Sequence, residues 1–139
     1  MTVNQISIFL ENKYGKLSDI LALLTDQNIR IIAATVADTS EYGILRLIVC
    51  EPQRAYKILK DANVSANLTE VLALSLDSNN LAKVMQYFTE AGLSIEYMYC
   101  FSLKEKSILI LRTNNQEATR EVIRRKNLTP IAESDLINL

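Results

Sequence analysis

A chain of 139 residues has room for one ordinary domain or two very small ones. Hydrophobic residues make up 49% of it and charged residues 22%, and 3 glycines with 2 prolines exclude a disordered chain or a long flexible linker. Its 15 basic and 16 acidic residues leave a net charge of −1, without the basic face that a nucleic acid or an anionic membrane surface would need, and the short run Arg124-Arg125-Lys126 does not supply one.

The opening residues MTVNQISIFLENKYGKLSDI lack a basic start followed by an apolar core. No apolar run approaches the roughly 18 residues needed to span a bilayer, so a cytoplasmic location is expected. Alternation at Ile6, Ile8 and Leu10 predicts a first strand with one face on a core. Leu17, Ile20, Leu21 and Leu24 then recur at the spacing of one helical stripe, and the helix is expected to stop at Asn28, a residue that tolerates a left-handed turn. Two β-rich runs, residues 29–37 and 44–50, are joined by the polar turn TSEYG and predict a hairpin. A second helix follows on Ala55, Ile58, Leu59 and Ala62, and residues 64–68 begin an extended segment.

The same order then returns. Leu72, Leu74 and Leu76 alternate, and Leu81, Val84, Met85 and Phe88 form a helical stripe ending at Gly92. Residues 93–103 and 107–112 are joined by the turn KEK, a helix uses Thr119, Val122 and Ile123, and residues 128–132 are extended. An offset of 64 superposes residues 17–64 on 81–128 without a gap, with identities that include Leu17/Leu81, Thr25/Thr89, Ile31/Ile95, Ile44/Ile108, Leu45/Leu109, Leu47/Leu111 and Asn63/Asn127.

The expected fold is therefore α+β: two tandem ferredoxin-like βαββαβ units, residues 1–68 and 69–139, with helices on one face of antiparallel sheets joined side by side. The second strands are apolar on both faces, at Ala33, Ala34 and Val36 and at Tyr97, Met98, Tyr99 and Phe101, which predicts a central position or a subunit contact. Small cores and such strands predict self-association, most simply as a homodimer. Cys50 and Cys100 lie at or near the ends of apolar runs and read as small buried hydrophobes.

Catalysis finds little support. With no histidine the commonest general base is missing, and two cysteines far apart do not make a zinc site, so neither a metal nor a cofactor is expected. Asp61 and Glu70 lie in polar stretches and read as solvated carboxylates, and there is no Walker A or Gly-x-Gly-x-x-Gly pattern to cradle a phosphate. Tyr97, Tyr99 and Phe101 alternate as RNA-stacking aromatics would, but no Lys/Arg-Gly-Phe run surrounds them.

Between the first strand and first helix the sequence reads Glu11-Asn12-Lys13-Tyr14-Gly15-Lys16-Leu17. This loop, with the element order and the duplication, resembles the ACT domain, whose ligand loop commonly has an acidic or Asn residue followed by Pro-Gly-x-Leu. Tyr14 stands here in place of the proline. The resemblance covers the whole chain as two such domains and implies a regulatory sensor of a small molecule, usually a free amino acid, with a separate enzyme as a possible partner. It further implies that ligand meets the start of a neighbouring second strand, which maps to Arg30 and Ile31 in the first half and to Ser94, Ile95, Glu96 and Tyr97 in the second.

The loop has a physical rationale of its own. Glycine lets backbone approach a ligand, and the free N–H groups of Gly15, Lys16 and Leu17 at the positive end of the helix suit a carboxylate. Glu11 or the amide oxygen of Asn12 would accept from an ammonium, and Tyr14 would cover a side chain. Gly15 serving only a tight turn is the competing reading. The second loop, Asp77-Ser78-Asn79-Asn80-Leu81, is shorter and lacks glycine, and Ser78 or Asn79 predicts a capped helix start without ligand. A ligand-free oligomerisation or protein-interaction module is the alternative function.

Overall fold

The computed structural model describes residues 2–11, 15–38, 41–76 and 80–138. The chain divides into two compact units, one from Asn4 to Thr69 and the other from Glu70 onward together with the first residues up to Val3.

The first unit contains β1 (Val3–Glu11), α1 (Lys16–Asp26), β2 (Ile31–Asp38), β3 (Tyr42–Val49), α2 (Pro52–Asp61) and the start of β4 (Ala66–Ser75). Its strands run in the order β2-β3-β1-β4, with Ile8 opposite Leu45 and Val36 opposite Leu45 in antiparallel ladders. Alternation turns Ile6, Ile8, Leu10, Leu45 and Leu47 to one face, where Ile20 and Leu24 of α1 and Ala55 and Leu59 of α2 cover them. Pro52 occupies the first position of α2, where its missing N–H leaves no bond unmade.

The second unit repeats the plan with the rest of β4, α3 (Leu81–Glu90), β5 (Ile95–Leu103), β6 (Lys106–Thr113), α4 (Gln116–Arg125) and β7 (Thr129–Pro130). The strand order is β7-β4-β6-β5, and Leu72, Leu74, Leu109 and Leu111 pack against Val84 and Phe88 of α3 and Val122 and Ile123 of α4. Truncating fully buried Phe88 to alanine is worth about 3–5 kcal/mol on the usual scale for such changes. Both units are helix-covered antiparallel sheets, the α+β architecture expected from the periodicity.

The repeat extends to backbone detail. All four long helices end in a left-handed residue, at Asn28, Asn63, Gly92 and Asn127, with φ of 61, 60, 76 and 54°. Each end closes with the same pair of bonds, shown at the first by Asn28 N–H to Thr25 O at 2.9 Å and Ile29 N–H to Leu24 O at 3.0 Å. Leu24/Ile29, Leu59/Val64, Phe88/Leu93 and Ile123/Leu128 supply the accompanying apolar residues within the two cores. A register shift between Ile31 and Ala33 recurs between Ile95 and Tyr97, so Ile32 and Glu96 are equivalent bulge positions.

Several expectations need correction. Residues 64–68 and 72–76 do not form separate strands: β4 runs unbroken over Ala66–Ser75, because Thr69-Glu70-Val71 contains no turn-forming residue. β2 and β5 are edge strands in their units rather than central ones, since the βαββαβ connection places the second strand outermost. A fifth helix, α5 (Glu133–Ile137), was not foreseen. Its five residues are too few to show periodicity, and it is fixed by fully buried Leu136. Cys50 is half-buried against the first core, whereas Cys100 is exposed on edge strand β5, so the reading as a buried hydrophobe fails for Cys100; neither cysteine is in a disulfide. Burial of part of its surface pushes the Cys100 thiol up from its ordinary pKa.

Candidate functional site

Antiparallel pairing of β1 with β3 places Glu11 opposite Tyr42, so the end of β1 lies beside the end of the β2–β3 hairpin. α1 begins at Lys16 directly after Gly15, whose φ of 79° is left-handed and suits glycine. A Cβ built on Gly15 meets nothing within 4 Å, so its backbone conformation, not crowding, calls for glycine. Gly15 is the N-cap of α1 and makes no side-chain cap bond; its carbonyl accepts from Asp19 N–H at 2.9 Å. Gly15 thus offers the first turn of α1 no side-chain acceptor of the kind that an N-cap residue ordinarily supplies.

Glu11, Lys16 and Leu17 border a groove of about 210 Å³ whose other walls are Leu10, Val36, Asp38 and Gly43. Leu17 is 38% exposed and Val36 47%, so this apolar wall faces outward although Leu17 belongs to the helical stripe predicted to be core. Leu17 sits in the first turn of α1, where it borders the groove with Leu10 and Val36 instead of joining Ile20 and Leu24 in the core. A smaller hollow of about 100 Å³ shares Glu11 and Lys16 and adds Asn63 and Ser65. Lys16 and the positive helix end set a basic side against the carboxylates of Glu11 and Asp38.

Of the residues expected at the site, the structure therefore brings together Glu11, Gly15, Lys16 and Leu17. Asn12, Lys13 and Tyr14 lie outside the described residues. Arg30 and Ile31 sit at the opposite end of β2 from Asp38, about 23 Å along the strand for seven residues. Ser94, Ile95, Glu96 and Tyr97 open β5 in the second unit. There Ser94 N–H donates to Asn114 Oδ1 at 3.1 Å, and Glu96 pairs with Arg112 at 3.4 Å. Val36, Asp38 and Gly43 were missed. The signal that could have found them is topological, because pairing β3 with β1 sets Gly43 opposite Leu10, and pairing β2 with β3 sets Asp38 opposite Gly43.

In the second unit α3 starts differently. Asn80, with φ −84° and ψ 150°, accepts from Lys83 N–H at 2.7 Å through its side chain. The cap is thus Asn80 rather than Ser78 or Asn79. A larger hollow of about 440 Å³ elsewhere in this unit has an apolar lining of Leu72, Ile123 and Leu128 with Arg120 and Arg124 at its edge. Both arginines already pair with Glu117 and Glu121, which leaves that hollow without a distinct chemistry. Among the described residues, no group of three or more His, Cys, Asp or Glu side chains is placed to hold a metal ion, and no helix is long and apolar enough to cross a membrane.

Comparison with known families decides what this duplicated unit is: the profile of the ACT domain pair matches residues 1–139. The chain belongs to the ACT domain pair family. This ACT domain pair is also similar to a crystallised protein from Bacteroides thetaiotaomicron, at 38% identity and a TM-score of 0.91 over 100% of this chain and 98% of that one. The regulatory subunit of aspartate kinase from Thermus thermophilus, in its ligand-free form, superposes with a TM-score of 0.58 at 15% identity, covering 87% of this chain and 90% of that one. The corresponding subunit from Thermus flavus gives 0.58 at 17% identity, over 88% and 90%. At such identities these two subunits share the fold with the ACT domain pair and nothing finer. No curated protein matches the sequence.

Proposed function

We propose that this ACT domain pair is a regulatory sensor that binds a free amino acid at the start of α1 and acts on a separate enzyme rather than catalysing a reaction itself. The observation that carries the reading is the start of α1. Behind left-handed Gly15 it has no side-chain cap, and it opens on a groove with acid, base and apolar walls. An α-carboxylate would accept from the first-turn N–H groups beside Lys16, its ammonium would face Glu11 and Asp38, and an aliphatic portion would lie on Leu17 and Val36.

Asn12 and Tyr14 keep the roles their chemistry suggests, as ammonium acceptor and cover. Arg30, Ile31, Ser94, Ile95, Glu96 and Tyr97 keep the ligand-facing role implied by the family. Support for a partner enzyme comes from the shared fold with subunits that regulate aspartate kinase in Thermus thermophilus and Thermus flavus. Exposed Leu17 and Val36 and the half-buried apolar residues of edge strand β5 support a homodimer, whose mass light scattering would report.

A thermal-shift screen of the purified protein against the twenty amino acids tests the reading. A ligand at a hundred times its Kd adds about 2.7 kcal/mol of stability, a shift of several degrees in a protein of this size. If none of the twenty moves the transition, the ligand-free interaction module takes its place.

A further inference from the structure

The duplication makes the two bulges directly comparable, and they carry different chemistry. In the first unit the bulge position is Ile32, and Ile48 of β3, opposite Ala33, is buried. In the second unit the same two positions are Glu96 and Arg112, with Arg112 of β6 opposite Tyr97. A bulge leaves its extra residue out of the ladder and re-aims that side chain. Two isoleucines in one copy have thus become an acid and a base in the other, and these meet, with Arg112 Nε 3.4 Å from Glu96 Oε1.

The guanidinium is also fixed from its other side. Arg112 Nη1 donates to the Glu70 carbonyl of β4 at 2.7 Å, and Gln116 Nε2 donates to the same oxygen at 3.4 Å. Gln116 is itself held, since its Oε1 accepts from Thr113 N–H at 3.1 Å. Arg112 therefore spans three strands, from β4 through its own β6 to the bulge of β5. An exposed ion pair between two loose side chains contributes little, because both must be ordered to make it. Anchoring the planar guanidinium on a backbone carbonyl removes most of that cost from its half and fixes the direction of its N–H groups. The side chains of Ile32, Ile48 and Pro52, which stand at the positions of Glu96, Arg112 and Gln116, cannot make these bonds, so the arrangement is not repeated in the first unit.

From this geometry we infer that Arg112 is a positioning residue for Glu96: it sets the direction in which the carboxylate at the start of β5 meets a ligand, without touching the ligand itself. That role rests on the ligand-facing place proposed above for Glu96 and adds how the place is specified. Glu96 keeps 47% of its side chain exposed, so while Arg112 holds one carboxylate oxygen, a donor from the ligand can reach the other. An untethered glutamate on an edge strand would sample several rotamers, and ordering it on binding would cost affinity. Arg112 orders it in advance. The two bulges are thereby unequal, one presenting a directed carboxylate and the other an apolar side chain.

Calorimetric titration of the full chain with each of the twenty amino acids tests this, using wild type, Arg112→Lys, Arg112→Met, Glu96→Ala and the double variant Glu96→Ala with Arg112→Met. Lysine keeps the charge but not the planar fork, so Arg112→Lys and Arg112→Met should both weaken binding by about fivefold or more. In the Glu96→Ala background Arg112→Met should weaken it no further, because the residue that Arg112 directs is gone. A merely structural role predicts the same loss in both backgrounds. The assignment falls if Arg112→Lys binds like wild type, if Arg112→Met costs as much without Glu96 as with it, or if Glu96→Ala leaves affinity unchanged. In each of those cases binding by wild type leaves the sensor reading intact. If wild type binds none of the twenty, the sensor reading and the role of Arg112 fall together.

Discussion

Arg30 and Cys50 are joined twice: the Arg30 N–H donates to Cys50 Sγ at 3.2 Å, and the Arg30 carbonyl accepts from Cys50 N–H at 3.0 Å. The duplicate unit makes the same double contact with different chemistry, because Ser94 N–H donates to Asn114 Oδ1 at 3.1 Å and its carbonyl accepts from Asn114 N–H at 3.1 Å. A thiol and an amide oxygen thus do one job, tying the start of the second strand to the end of the third.

An amide oxygen is the stronger acceptor of the two. Asn114→Ala should lower stability by about 1 kcal/mol, because the Ser94 N–H loses its acceptor. Asn114→Cys, which copies the first unit, should recover part of that loss. Chemical denaturation of the three proteins decides, and an alanine variant as stable as wild type would mean that the bond contributes nothing.

At Gly15 the expected loss comes from conformation. With φ at 79° and open space where a Cβ would stand, Gly15→Ala should cost about 1–2 kcal/mol through left-handed strain alone. Gly15→Asn should cost less, since asparagine visits that region more readily. Equal losses for the two variants would point to a contact rather than to φ.

Asn80 provides the contrast. Asn80→Ala removes the side-chain bond to Lys83 N–H and should reduce stability by about 1 kcal/mol. Calorimetric titration with whichever amino acid stabilises wild type should leave its affinity for the first loop unchanged. Loss of binding in this variant and its retention in a Gly15 variant would show that the ligand loop has been misassigned.

Acid should expose one surface pair. The Arg124 guanidinium hydrogen-bonded to Glu121 holds that carboxyl below its ordinary pKa. A depressed folded-state pKa adds stability above the ordinary carboxylate range and loses it as the pH falls through the folded value. Any destabilisation by Glu121→Gln at neutral pH should therefore shrink on acidification and in high salt, because the pair is fully solvated. Denaturation midpoints of the variant and wild type at neutral and acidic pH test this, and a gap that widens in acid would contradict it.

Much of the fold was legible because its signals are local. The stripe on Ile20 and Leu24, the alternation at Ile6 and Ile8 and the left-handed stops at Asn28 and Gly92 each follow from a few neighbouring residues, and the repeat supplied each kind of signal twice. The loop with Gly15 was legible for the same reason. Val36 and Asp38 were not, since they reach the groove only through the pairing of β3 with β1. Nor was the burial of Ser75, an ordinary strand residue until β6 and β7 pair on either side of it.

The sequence by itself determined the duplicated order of strands and helices, because periodicity and turn chemistry act within a few residues of the chain. Only the tertiary structure decided that Leu17 faces a groove rather than the core, that Cys100 is exposed on an edge strand, and that a serine hydroxyl is buried without a partner. Those outcomes depend on which distant segments come to rest beside each residue, and solvent exposure is a property of that packing.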